Sequence, residues 1–103
     1  MYQITASFPH EELFGLTSQF RRASASIPAN IAEGCGRDSD ADFRRFLQIA
    51  MGSASELEYH VLLSRDLGFV GAADYESLAE GITEVKRMLA SLIQRLKAES
   101  SFR

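Results

Sequence analysis

An all-α fold, with helices packed antiparallel in an up-down bundle, is what this sequence predicts, and three observations predict it. Apolar residues step by three and four along three separate stretches. No stretch alternates with period two, the pattern of a half-buried strand. The breaks between stretches are short and carry the glycines and capping residues at which helices stop and start.

The first long helix is expected over residues 12–33, where Leu13, Leu16, Phe20, Ala23 and Ile27 form one stripe before Pro28 interrupts it. The turn Gly34-Cys35-Gly36-Arg37 closes it, and Ser39 with Asp42 three residues on resembles a capping box that opens the second helix. That helix is expected over 40–67, with Phe43, Leu47, Ala50, Ala54, Leu57 and Val61 as its stripe and Leu67-Gly68 as its end. The third is expected over 75–98, with Asp74 as N-cap and a stripe of Tyr75, Leu78, Ile82, Val85, Leu89, Leu92 and Leu96. At ~1.5 Å per residue the second and third helices are ~42 and ~36 Å long. Heptad stripes of this kind predict left-handed packing with helices crossing at roughly 20°. Short connections make sequence neighbours antiparallel.

The N-terminus does not match its partners. Met1 to Ser7 provides a stub of at most ~10 Å of helix before Phe8-Pro9. Three long helices then either close as a triangle or leave an apolar groove for a fourth helix or a neighbouring subunit. The 103 residues form one helical-bundle domain over 1–103, small enough that only roughly 60–65% of the unfolded chain's surface is buried.

Composition excludes several classes. With 46% hydrophobic and 24% charged residues the chain is ordinary globular protein, not a disordered tail. No apolar run approaches ~18 residues and no basic-then-apolar leader opens the chain, so a cytoplasmic protein without membrane contact is expected. A net charge of -3 exerts no overall pull toward nucleic acid, which leaves local patches to consider. The single cysteine, Cys35, excludes an internal disulfide and a cysteine-based zinc site.

The most informative segment is Ser26-Ile27-Pro28-Ala29-Asn30-Ile31-Ala32-Glu33-Gly34. An interior proline removes a helix hydrogen bond at a cost of ~3 kcal/mol, so Pro28 marks a kink, a junction or an interface. Asn30 and Glu33 either satisfy the backbone groups left open there or, with Arg37, form a ligand-binding or subunit-contact cluster beside Pro28 and Gly34. In the second helix Gly52-Ser53-Ala54 is similar in kind. A mid-helix glycine costs up to ~1 kcal/mol against alanine, and close approach of another helix, within or between subunits, would compensate.

Arginine supplies the other candidates. Phe20-Arg21-Arg22 and Phe43-Arg44-Arg45 repeat a pattern, with Arg37 in the turn between them. Antiparallel packing would set Arg21, Arg22, Arg37, Arg44 and Arg45 along one face able to contact phosphates. The alternative is a solvated, salt-bridged face, since Glu33, Asp38, Asp40 and Asp42 nearly cancel these charges. Catalytic signals are weak. Glu56 and His60 stand four apart, whereas a bundle di-iron site uses Glu-x-x-His, and Tyr59 occupies that place. His10 and His60 are expected at the surface or boundary, and no nucleophile triad or phosphate loop is present. No enzyme, metal or cofactor is expected.

One ordered string of residues resembles a known family. Phe8-Pro9, Phe14 to Ala23, Ser26 to Gly34, Phe46-Leu47-Gln48-Ile49-Ala50-Met51-Gly52-Ser53-Ala54 with Glu56, and Leu67-Gly68-Phe69 are similar to the "four helix bundle protein" family encoded in intervening sequences of bacterial 23S ribosomal RNA genes. The resemblance implies an antiparallel up-down four-helix bundle with a short or truncated first helix, assembling as a homopentameric ring around a channel. Fuller members carry more residues before Phe8-Pro9, which form a full first helix, so this chain either starts late or has been assigned the wrong initiator. The chain is also similar to the accessory protein of diversity-generating retroelements, a pentamer that binds a reverse transcriptase and nucleic acid. Two functions are thus expected: a non-catalytic homo-oligomeric scaffold or adaptor, or a module for RNA or a nucleoprotein that uses the arginine face.

Overall fold

The computed structural model describes residues 10–101, which form three helices: α1 (His10–Cys35), α2 (Asp40–Asp66) and α3 (Ala72–Ser101). Among the described residues there is no strand. A four-helix bundle, the architecture implied by the resemblance, is therefore corrected to three helices, and the expected stub at 1–7 lies outside the described residues. The physical reason lies in the stripes. The sequence holds three long apolar stripes, and each is spent on one of these helices.

α2 is central. α1 and α3 each pack along α2 and do not approach one another at backbone level among the described residues. Leu47 and Ala50, early in α2, share a cluster with Leu89, Ile93 and Leu96, late in α3. Leu57 and Val61, late in α2, share another with Ile82 of α3 and with Phe20 and Ala23 of α1. Both orders are those of antiparallel neighbours. Ile27 touches both clusters and so joins them. The molecule is accordingly elongated, 53 × 22 × 16 Å along its principal axes.

Helix ends follow the local sequence. Ser39, in extended conformation, caps α2 by accepting from the Asp42 N–H at 3.1 Å. At the other end the Gly68 N–H donates to the Arg65 carbonyl and the Phe69 N–H to the Ser64 carbonyl, at 3.0 and 2.9 Å. This Schellman pattern needs a left-handed residue, and Gly68 at φ 79° provides it. Val70 from the connection folds back into the core. Asp74, expected as an N-cap, instead lies inside the first turn of α3, where its charge favours the helix dipole.

α1 runs through Pro28 as one continuous helix, so of the kink, junction and interface readings the junction does not occur there. Proline has no N–H, and the Ser24 carbonyl loses its usual donor. Two residues on, the Asn30 side chain donates to the Ser26 carbonyl at 2.8 Å and to the Ser26 hydroxyl at 3.0 Å, groups other than the carbonyl that Pro28 leaves open. Pro28 itself is exposed.

Gly34 fixes how closely α1 meets α2. It is buried, and a Cβ built there would stand 2.9 Å from Phe43 Cδ1 and 3.0 Å from Phe46 Cβ. The Phe46 Cβ cannot swing aside as a side-chain tip would. Gly34→Ala gains helix propensity but must spread the helices, and a net loss of about 1–2 kcal/mol is expected in urea denaturation. A variant as stable as the parent would refute the close approach.

Candidate functional site

The seam between α1 and α2 collects Arg22, Asn30, Ser53 and Glu56 from the polar residues singled out in the sequence. Arg22 of α1 forms an ion pair with Glu56 of α2 and also donates to Gln19 Oε1 at 2.9 Å. One turn along α1, Ser26 Oγ meets Ser53 Oγ of α2 at 2.7 Å, with Asn30 bonded behind it. Arg22, Ser26 and Asn30 recur at intervals of four along one side of α1, where the first two meet α2 and the third bonds Ser26.

Glu56 is the junction of the seam. Its Oε1 takes Arg22 and stands 3.5 Å from His60 Nε2. The hydrogen bond from the Arg22 guanidinium holds its carboxyl below the ordinary value near 4.5, against a smaller opposing effect of burial and with help from His60. His60 packs on the rings of Phe20 and Tyr59, at centroid separations of 6.1 and 5.8 Å. Its side chain is only 13% exposed, which places it further inside than a surface residue. Neither ring nitrogen has a hydrogen-bond partner among the described residues. Four residues on, the fully buried Ser64 donates its hydroxyl to the His60 carbonyl at 2.8 Å. Spacing made the Glu56 and His60 contact legible in the sequence. The Arg22 partner comes from another helix and left no local sign.

At the turn end the arginines are arranged differently. Arg37 pairs with Glu33 at 2.5 Å, and Arg45 approaches Asp42 at 3.9 Å. The guanidinium carbons of Arg37 and Arg45 lie 4.8 and 4.5 Å from the centroid of the Phe46 ring, so one aromatic ring holds both cations. Arg44 is half-buried and Arg21 exposed. Arg22 stands apart from the turn, paired within the seam.

Two glycines face outward. A Cβ at Gly52 would meet nothing within 4 Å, so the close helix approach expected there is absent among the described residues. The same holds for Gly81 of α3, which lines an open apolar groove of about 300 Å³. Ile27, Ala54, Leu57, Leu78 and Val85 form most of the remaining wall, so the groove runs over α2 between its two partners. Among the described residues no group of three potential metal ligands occurs, and no helix is long and apolar enough to cross a membrane. Cys35 is free and exposed.

These features define an all-helical protein whose polar groups pair with one another across a helix seam. The chain belongs to the 23S rRNA-intervening sequence protein family, which it matches over residues 1–91. Its fold is similar to that of a protein of unknown function from the S23 ribosomal protein family of Bacteroides thetaiotaomicron. That likeness has a TM-score of 0.81 and 33% identity, and it covers 89% of this chain and 83% of the other. No curated protein matches the chain. Neither the family nor the structural neighbour carries a catalytic assignment.

Glu56 also determines a pH response. A carboxyl whose folded pKa is depressed contributes stability above its unfolded value, and that stability is lost as pH falls through the folded value. Glu56→Gln is therefore expected to lower the melting temperature at neutral pH and to flatten its decline below about pH 4.5. Melting curves taken across that range check this, and a decline as steep in the variant as in the parent would count against the role of Glu56.

Proposed function

We propose that this protein is a non-catalytic, homo-oligomeric helical-bundle scaffold or adaptor. The observation that carries the reading is the open groove between α1 and α3, whose wall is formed almost wholly by apolar side chains. Apolar surface left in water forgoes roughly 25 cal/mol per Å², and contiguous patches of it commonly mark association surfaces. Gly52, exposed between Ile49 and Tyr59 on the outer side of α2, supports the same reading, because those two side chains are 42% and 59% exposed. The resemblance to the ribosomal RNA intervening-sequence family favours a ring of five subunits. Light scattering at micromolar concentration tests the proposal. A mass several times 11.4 kDa is expected, five times for a single ring, and a monomer would overturn it.

A second reading follows from the Arg37, Phe46 and Arg45 stack. Guanidinium groups held over a ring keep their N–H edges ordered and available to phosphate oxygens. On this reading Arg21, Arg22, Arg37, Arg44 and Arg45 serve a module for RNA or a nucleoprotein, in keeping with the similarity to the retroelement accessory protein. Glu33, Asp42 and Glu56 already pair three of these arginines, which is why the scaffold reading stands first. Fluorescence anisotropy with a single-stranded RNA oligonucleotide separates the two. Binding that weakens steeply between low and physiological salt and falls on Arg45→Glu is expected of the module, whereas absent or salt-insensitive binding removes it.

A further inference from the structure

Most of the charge of α3 lies in two blocks, with the acidic Glu99 beyond them in the last turn. From Ala72 to Val85 the charged residues are Asp74, Glu76, Glu80 and Glu84, all acidic. From Lys86 to Lys97 they are Lys86, Arg87, Arg95 and Lys97, all basic. The helix dipole favours this order only within the first and last turns, so it does not account for the boundary at mid-helix. Packing on α2 accounts for one of the inner charges, since Lys86 reaches Glu58 at 3.1 Å. Glu84 and Arg87 bond each other at 2.6 Å on the solvent side, and Arg95 has no ion-pair partner among the described residues.

The outward charges lie on a stripe of their own. Gly81, Glu84, Met88, Ser91, Arg95 and Ala98 step by three and four, and all are exposed. Met88, at 63%, is the most exposed large hydrophobic among the described residues. Beside it lies a shallow cleft of about 370 Å³ lined by Arg87, Met88, Ser91, Leu92 and Arg95. An apolar side chain over a cleft, flanked by acid on one side and base on the other, is complementary to its own reverse.

We propose that this stripe is a two-fold contact at which α3 of one copy lies antiparallel on α3 of a second. Antiparallel pairing brings the acidic block of each helix against the basic block of the other, with only Glu99 at the end of the overlap set against a like charge, Glu80, whereas parallel pairing would oppose like charges throughout. With the axis beside Met88 and Ser91, Glu84 of each copy faces Arg95 of its mate, and Met88 enters the space over Ser91. The contact is isologous, so every pair occurs twice. It rests on the self-association reading above. In a ring of five it would join two rings, and without a ring it would join two chains.

Sedimentation velocity on the full chain tests it by charge reversal. Glu84→Arg or Arg95→Glu alone places like charges opposite one another twice, and each is expected to halve the assembled mass, as is high salt. The double reversal restores the opposite-charge pairs and is expected to restore the mass; circular dichroism confirms that α3 remains helical in all three. An assembly whose mass neither single reversal halves, or whose mass the double reversal fails to restore, overturns the α3 contact while leaving the scaffold reading intact. A single-chain mass at every concentration overturns both.

Discussion

α2 is the one helix that both others touch, and the whole fold depends on its ability to bury two sides at once. Ala50 and Ala54 lie fully buried along its inner side, where larger residues would push α1 and α3 away. Leu47, Leu57 and Val61 fill the space those alanines leave, so each flanking helix finds a continuous apolar wall. The two clusters would otherwise be separate cores, each small for a free-standing domain. Ile27 connects them from α1, and Val85 on α3 packs against the cluster that runs toward the other end. Loss of α2 packing would thus release both neighbours together.

Apolar stripes alone allow helices to slide past one another by a turn, and the polar seam removes that freedom. As α1 advances four residues from Arg22 to Ser26, α2 retreats three from Glu56 to Ser53. Eight further residues reach Gly34, which sits against Phe46, seven back from Ser53. Ion pair, hydroxyl contact and glycine cleft therefore agree on one register. A shift by one turn would bury Ser26 against an apolar partner and drive Phe46 into a side chain larger than hydrogen. Each exposed or half-exposed pair contributes modestly to stability. Their agreement contributes specificity, because every alternative register loses all three at once.

Most of the core was legible in the sequence because helix periodicity is local. Leu47, Ala50, Ala54, Leu57 and Val61 fall on the stripe that the heptad count assigns to α2, and all are buried. The count failed at Ile93, which is 8% exposed although the stripe passes through Leu92. A straight helix has 3.6 residues per turn, so a seven-residue repeat drifts by ~20° per heptad and the inward position moves on by one residue toward the end of a long helix. The caps at Ser39 and Gly68 were also legible, since each depends on residues within one turn. The Arg22 and Glu56 pair was not, because it depends on the register between two helices. The implied fourth helix came from resemblance, and no described segment supplies it.

Three mid-chain glycines separate what the chain does for itself from what it leaves to others. Gly34 is explained within the molecule: its missing side chain is the space that Phe43 and Phe46 occupy. Gly52 and Gly81 bear the same helix cost of up to ~1 kcal/mol each, yet neither touches anything that a Cβ would disturb. Gly52 is on the outer side of α2, and Gly81 joins the groove to the charged stripe of α3. Gly52 borders the exposed side chains of Ile49 and Tyr59, and Gly81 borders the buried and half-buried apolar wall of the groove. A chain that met only water at these points would lose nothing by carrying alanine there. Close approach of another backbone is a circumstance in which glycine is the better residue, and the scaffold proposed above would supply it at both positions.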